Sequence, residues 1–468
     1  MSQQDLTQLQ VSQLSQLLQS GKLSPLELTN AYLKKIEQLD SKLHSFVQVY
    51  ADDARQAARG AEAAIKAGHS VGPLHGVPIA LKDLIELDGK IVTGGSEAMK
   101  SNYSTRTATL AKKLIAQGLI ILGKTHTVEF AMGGWGTNSV RGTPWNPWDL
   151  KRARTPGGSS SGSGVAVAAG LTPWAVGTDT GGSVRLPASW CGITGLKTSI
   201  GRVSTYGILP LSPTLDTPGP MGQSVEDVAL LYSAMHGSDH LDPLTNGLPY
   251  SDPMPNLQRG VRGLRLARMP QTERQFATAD VLAAYDRSLS DLEKLGAEIV
   301  DVKLPFLFAD VASFNLRIMA AESYALYHKL IDDEKAPLDP HVRPRIASGR
   351  ANTAQSYIEA LQMRDVMKAQ FALALEGIDA ILTPTTMTTA LPIDEIDQSK
   401  APAHFTRFAN YLNLCALALP NGIAPDGLPT SLQIVCRANE ESMALRIGWA
   451  YQNSNNWQLQ RPSDLDIS

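Results

Sequence analysis

The chain has 468 residues, 43% hydrophobic and 19% charged, enough apolar material for a large core and the make-up of an ordinary globular protein. Lys plus Arg number 42 against 45 Asp plus Glu, and the resulting net charge of -3 gives no electrostatic reason to expect nucleic acid or an anionic membrane as the main partner. Three cysteines, Cys191, Cys415 and Cys436, include no CxxC pair, which argues against a disulfide scaffold or structural zinc and for a reducing compartment. No apolar run approaches the roughly 18 residues of a membrane span. The polar start, MSQQDLTQLQVSQLSQLLQSGKL, has no basic region followed by an apolar one. A soluble cytoplasmic protein acting on a small molecule is expected.

The first seventy residues read as helices. Ser24-Pro25 is a start signal, and Leu28, Tyr32, Leu33, Ile36 and Leu39 recur at helical spacing behind it. An Ala-rich helix is predicted over Ala51–Ala67, then an apolar segment over Val77–Leu81. Helical and strand-like segments alternate from there: a helix at Thr107–Gln117, a strand at Leu119–Gly123, a small-residue helix at Gly164–Gly170 and a strand at Ala175–Gly177. Further on come a helix at Thr278–Gly296, a strand at Glu298–Val302, and strands at Ile378–Leu382 and Thr430–Val435. This alternation predicts an α/β protein with a buried, partly parallel sheet. Gly237–Gly263, rich in Pro, Asp, Asn and Gly, reads as a long surface connection inside one domain, and Phe306–Glu376 as helical cover over one side.

Two familiar patterns are present in form only. Gly158–Gly162 matches G-x-S-x-G and nominates Ser160 as an elbow serine, but a run this rich in Gly and Ser matches almost freely. Gly118–Thr125, GLIILGKT, matches a phosphate-binding loop, yet its Leu-Ile-Ile-Leu centre belongs in a buried strand. His126 and Glu129 lack the HExxH arrangement, and no metal or other cofactor is expected. The richest stretch is Thr155–Thr198, with Gly and Ser clustered at Gly157–Gly164 and Gly177–Ser183. Such clusters bring backbone close to something else. Lys82, ending an apolar run, is a base candidate if drawn inward, because desolvation turns an ammonium into a neutral amine near physiological pH.

GVPIALKD around Lys82, PGGSSSGSG and GTDTGGSVRLPASWCGITGLKT together closely resemble the amidase signature family of serine hydrolases. The resemblance continues through EFAMG at Glu129–Gly133, NPWD at Asn146–Asp149 and GLPTSLQIV at Gly427–Val435, and so covers nearly the whole chain. It implies a single domain over 1–468, with a large mixed, partly parallel central sheet covered by helices on both faces. Within it, residues 1–70 would be N-terminal helices, 71–235 the catalytic core, 236–265 the surface connection, and 266–468 the rest of the sheet with helical cover over the substrate pocket.

The resemblance also implies roles. Lys82 would be the base, Ser159 the relay beside a cis peptide at Gly158–Ser159 or its neighbour, and Ser183 the nucleophile that forms an acyl-enzyme. Backbone N–H groups of Thr180, Gly181, Gly182 and Ser183 would hold the oxyanion. Met132, Gly133, Gly134 and Trp135 would lie beside the acyl pocket. Asp179 and Arg185 read as a structural ion pair, Ser160, Ser161 and Ser163 as turn-forming or supporting groups, and Cys191 as a small buried residue. The implied activity is hydrolysis of a small-molecule amide, with carbamates or esters as further substrates. The alternative is the glutamine-hydrolysing subunit of a tRNA-dependent amidotransferase, which resembles this chain in FAMG and GRVSTYGIL. Phe405–Asn413, FTRFANYLN, matches the region where such subunits carry an Asp but contains no acid, and Arg407 there suits an anionic substrate. For partners, the expectation is a small-molecule amide, no nucleic acid and no membrane, with a homodimer the one assembly anticipated.

Overall fold

The protein is described by a computed structural model covering residues 5–465. Its strands are β1 (Phe46–Val49), β2 (Pro78–Lys82), β3 (Ile120–Thr125), β4 (Trp174–Asp179), β5 (Thr194–Lys197), β6 (Thr217–Gly222), β7 (Arg265–Arg268), β8 (Glu298–Val300), β9 (Ala380–Pro384), β10 (Cys415–Ile423) and β11 (Pro429–Cys436). They form one sheet in the order β1-β3-β2-β4-β6-β5-β10-β11-β9-β7-β8. β3, β2 and β4 run parallel, as do β9, β7 and β8 at the other end. The remaining neighbours are antiparallel. This is a mixed sheet in an α/β protein, as the alternation of segments predicts.

Burial follows from composition. β2, β4 and β11 are buried at every residue, the continuous pattern of strands covered on both faces. The helix Pro25–Leu43 begins where Ser24 Oγ accepts from Leu26 N at 3.0 Å, and it buries Leu28, Tyr32, Leu33, Ile36 and Leu39. Three helices, Asp310–Asp332, Val342–Ala347 and Ala354–Ala374, occupy the stretch read as helical cover.

Three local differences have physical causes. The small-residue helix runs over Ser161–Ala168, three residues earlier than its composition suggests. All eight of its residues are buried, so packing overrides the poor intrinsic preference of Ser and Gly for helix. Ser161 and Ser163 therefore sit inside a helix and not in a turn. β6, TPGPMG, carries no strand signal because Pro cannot donate to a ladder. Its pairing with β5 is confined to Met221 and Gly222, which leaves Pro218 and Pro220 outside that ladder. Residues 236–265 are not a plain surface connection: Asp239, Asp242, Thr245, Leu257 and Val261 are buried, and Asp242 Oδ2 accepts from Thr205 N at 2.8 Å.

Gly162 shows how tightly these elements meet. A Cβ there would lie 2.2 Å from Ser45 O and 2.3 Å from His126 N, both backbone atoms. Gly162→Ala is therefore expected to destabilise the fold by about 2 kcal/mol or more, read as a lowered urea midpoint. An unchanged midpoint would contradict this packing.

Candidate active site

The parallel arrangement of β2 and β4 brings their carboxyl ends to one edge of the sheet, the usual place for a site in α/β proteins. Lys82 ends β2, and Thr178 and Asp179 end β4. Lys82 is fully buried; its Nζ lies 2.7 Å from Ser159 Oγ and 2.8 Å from Thr178 Oγ1. Burial draws the amine down to about 7, against a weaker upward pull from Asp179 and Asp216. The snorkelling alternative open to a strand-end lysine is thus not the one taken.

Ser159 and Ser183 precede two short helices, Ser161–Ala168 and Arg185–Cys191. The Gly158–Ser159 peptide is cis. Gly158 N donates to Gly134 O at 2.8 Å, and a Cβ at Gly158 would lie 2.6 Å from Gly136 N, so glycine is required by close approach. Ser160 N donates to Ser183 O at 3.2 Å, tying the two serine loops together. The Ser183 hydroxyl borders a cavity of about 370 Å³ and has no hydrogen-bond partner among the described residues. Ser159 and Ser183 share no side-chain hydrogen bond in this arrangement.

Asp179 organises the Ser183 loop. Its Oδ1 accepts from Gly182 N at 2.7 Å and its Oδ2 from Val184 N at 3.0 Å. Arg185 Nη2 and Nε each donate to it at 3.0 Å. Burial pushes this carboxyl up, but the Arg185 charge and the hydrogen bonds outweigh it and hold it well below the usual carboxylate range. Arg185 uses its remaining donors on Thr406 O, Gln433 Oε1 and Asn410 Oδ1. One expectation is corrected here. The Gly182 N–H is taken by Asp179 and is not free for an oxyanion. The N–H groups of Thr180, Gly181 and Ser183 have no acceptor among the described residues, and a Cβ on Gly181 would meet open space.

Met132, Gly133, Gly134 and Trp135 line the same cavity as Ser183. Trp135 stacks on Trp190 at 5.5 Å and donates to Lys400 O at 2.8 Å, so it is wall and packing residue at once. Ser160 Oγ lies 3.2 Å from both Thr178 N and Thr178 O, behind the site. Cys191 is buried, its thiol pushed up by burial, with Sγ 3.3 Å from Pro156 O. Lys124, from the apparent phosphate loop, is a buried strand residue that donates to Ile85 O. Sequence reasoning assigned no role to Thr178, Asn410, Gln433 or Asp216. Gln433 stands inside the GLPTSLQIV motif, which was a signal without an interpretation. Among the described residues, no His, Cys, Asp and Glu side chains cluster in a way that could hold a metal ion, and no helix is long and apolar enough to cross a membrane.

An Amidase family model matches residues 27–445. The chain belongs to the amidase signature family of C–N hydrolases. One relative, from Roseiflexus castenholzii (strain DSM 13941 / HLO8), is a subunit of glutamyl-tRNA(Gln) amidotransferase, 37% identical over 98% of each chain. Of solved structures, a vestigial protein complex bearing on the origins of an s-triazine catabolic enzyme aligns at TM-score 0.90 and 29% identity over 96% of this chain and 99% of that one. Peptide amidase from Stenotrophomonas maltophilia aligns at TM-score 0.86 and 29% identity over 98% and 99%.

These relatives correct the expectation about partners. The expectation of a small-molecule amide and no nucleic acid rested on overall charge, and it is overturned by full-length relatives named for their place in an amidotransferase for glutamyl-tRNA(Gln). Net charge averages the whole surface and says nothing about what one face, or a partner chain, can bring to the site.

The Asp179–Arg185 pair yields a test. Arg185→Met leaves a buried carboxylate unpaired and is expected to cost about 3–5 kcal/mol of stability. Arg185→Lys should rescue little of it, since one ammonium cannot replace a five-donor fork. Thermal unfolding of both variants is the measurement, and a Lys variant as stable as wild type would show the fork geometry to be dispensable.

Proposed function

We propose that the protein cleaves an amide C–N bond through Ser183, with Ser159 as proton relay and neutral Lys82 as base. The observation carrying this reading is the dry amine of Lys82, 2.7 Å from Ser159 Oγ and drawn down to about 7 by burial. Ser183 Oγ attacks the amide carbon, and its proton passes through Ser159 to Lys82. The negative oxygen is received by free N–H groups of the Thr180–Ser183 turn, where one fixed donor is worth about 3–4 kcal/mol of barrier. The C–N bond breaks as the proton returns along the same path to the leaving nitrogen. Water then cleaves the acyl-enzyme by the same proton route.

Within this chemistry, the favoured role is the ammonia-releasing component of an amidotransferase-type assembly. The support is likeness over 97–98% of the chain to relatives named as components of glutamyl-tRNA(Gln) amidotransferase. The second reading is an amidase that works alone; it is favoured by likeness to a peptide amidase and by the cavity, whose lining contains no acid. Both readings keep the chain as one unit over 1–468 and place it in the cytoplasm, in line with three buried free thiols.

A fluorophosphonate should label Ser183 in the wild-type protein and fail to label Ser183→Ala; equal labelling of both would remove Ser183 from the mechanism. Ammonia release by the chain alone, compared with the chain plus candidate partner proteins, separates the two roles. A rate raised tenfold or more by partners supports the amidotransferase role, and full activity alone supports the free amidase.

The pH profile tests Lys82. Its working form is the neutral amine, so activity should rise about tenfold per pH unit below about pH 7 and level off above it. Lys82→Ala should lose about 10²–10⁴-fold. A profile flat from pH 5.5 to 9 would rule out this base.

A further inference from the structure

The turn that carries Ser183 is gripped from three sides. Asp179 holds Gly182 N and Val184 N from behind, and Thr406 Oγ1 donates to Gly181 O at 2.8 Å. The third hold is on Thr180, and it comes from a carboxylate that the reaction above leaves without a part. Thr180 Oγ1 donates to Asp216 Oδ1 at 2.5 Å. Sheet register brings the two together. β4 and β6 are antiparallel with Asp179 opposite Thr217, so Thr180 and Asp216 are the next residues to face each other beyond the ladder.

Asp216 is itself firmly placed. Its Oδ2 accepts from Leu211 N at 2.8 Å and from Ser212 N at 2.9 Å, closing the loop that leads into β6. That loop is fastened in turn to the helical cover. Glu322, on the helix Asp310–Asp332 that also presents Asn315 to the Ser183 cavity, accepts from Ser212 Oγ, and from Thr214 Oγ1 at 2.7 Å. Arg364, on the helix Ala354–Ala374, donates to Thr214 O at 3.0 Å. Thr180 has no such support of its own. It stands with Ala131 and Leu211 in the wall between the Ser183 cavity and a neighbouring one of about 230 Å³. A Cβ on the next residue, Gly181, would meet open space. Among the described residues, the Thr180 hydroxyl makes no hydrogen bond besides the one to Asp216.

We propose that Asp216 is a positioning residue for the oxyanion turn: by holding the Thr180 hydroxyl it fixes the Thr180 and Gly181 peptides with their unengaged N–H groups aimed at the place where charge develops over Ser183. This rests on the amide-cleaving reading above and adds the group that keeps its donors in place. A donor lowers the barrier fully only when it is aimed before the charge appears, because reorienting it during the reaction costs part of what the bond returns. All three partners of Asp216 are donors, so the ionised carboxylate is the form that satisfies them. In this role Asp216 touches no reacting atom.

Saturation kinetics of fluorophosphonate labelling at Ser183 test this without knowledge of the natural substrate, since phosphonylation also loads negative charge onto an oxygen held by the turn. Thr180→Val keeps the shape of the side chain and removes only the hydroxyl, while Asp216→Ala removes the acceptor. Each should lower the limiting labelling rate about 10- to 100-fold and leave the half-saturating probe concentration within about twofold. Both act through one hydrogen bond, so the double variant should be slower than Asp216→Ala by no more than about threefold. Hydrogen exchange of the Gly182 N–H, which Asp179 holds, should quicken at least about fivefold in both single variants. A Thr180→Val protein labelled at the wild-type rate would overturn the assignment. So would a loss carried by weaker probe binding alone, a double variant slowed by the product of the two single effects, or unchanged exchange at Gly182. Should Asp216→Ala fail to fold, the labelling and exchange of Thr180→Val decide alone. Wild-type protein that takes no label would sink the nucleophile reading, and exchange at Gly182 would then decide whether Asp216 holds the turn. Wild-type labelling with neither variant impaired would sink the Asp216 role and leave the hydrolase reading standing.

Discussion

The site depends on one constraint: Lys82 must stay dry and have no counter-ion. A carboxylate in contact would restore the ammonium and remove the lone pair that the proposed base needs. Two acids stand close enough to matter, and each is committed elsewhere. Asp179 is held by Arg185, Asn410 and two backbone N–H groups. Asp216 is held by Thr180, Leu211 and Ser212. The Asp179–Arg185 pair therefore shapes the Ser183 loop and leaves Lys82 without a carboxylate in contact. The arrangement has a price in stability with a definite sign. Because the folded amine binds its proton more weakly than the unfolded one, this residue's contribution becomes more favourable as pH rises from about 7 towards the ordinary 10.5.

The two serine loops divide the remaining work by backbone geometry. The Ser159 loop is fixed from below, since Val128 N donates to Ser159 O at 3.1 Å and Gly158 N to Gly134 O at 2.8 Å. The Ser183 loop is fixed from behind by Asp179, which leaves its outer N–H groups unengaged. Gly182 shows how specific that choice is. Its φ of +133° turns its N–H towards Asp179, while Gly181 faces open space. A carboxylate behind the loop and free donors in front of it are two results of one turn.

How much of this was legible depended on the range of the interaction. The helix over Pro25–Leu43 and strands β3, β4 and β11 follow from local periodicity. Lys82, Ser159 and Ser183 could be singled out because each sits in a dense local motif, and the structure brings Lys82 Nζ to 2.7 Å from Ser159 Oγ. The donor assignment at Gly182 failed because motif spacing does not say which way an N–H points. β6 was unreadable because Pro cannot donate to a ladder, and that Pro218 and Pro220 stand opposite Thr178 and Val176 of β4 while β5 meets only Met221 and Gly222 is a fact of pairing and not of sequence. Asn315 was invisible for a like reason: it lies 132 positions beyond Ser183, and only the packing of its helix brings it to the cavity.

Lys82 and Arg407 are both basic side chains near Ser183, and their chemistry separates them. Lysine relieves desolvation by losing a proton, which yields a base and needs no partner. Arginine cannot do so at any ordinary pH, so the half-buried guanidinium of Arg407 stays charged. The absence of free carboxylates that keeps Lys82 neutral also leaves the Arg407 charge without a counter-ion among the residues lining the cavity.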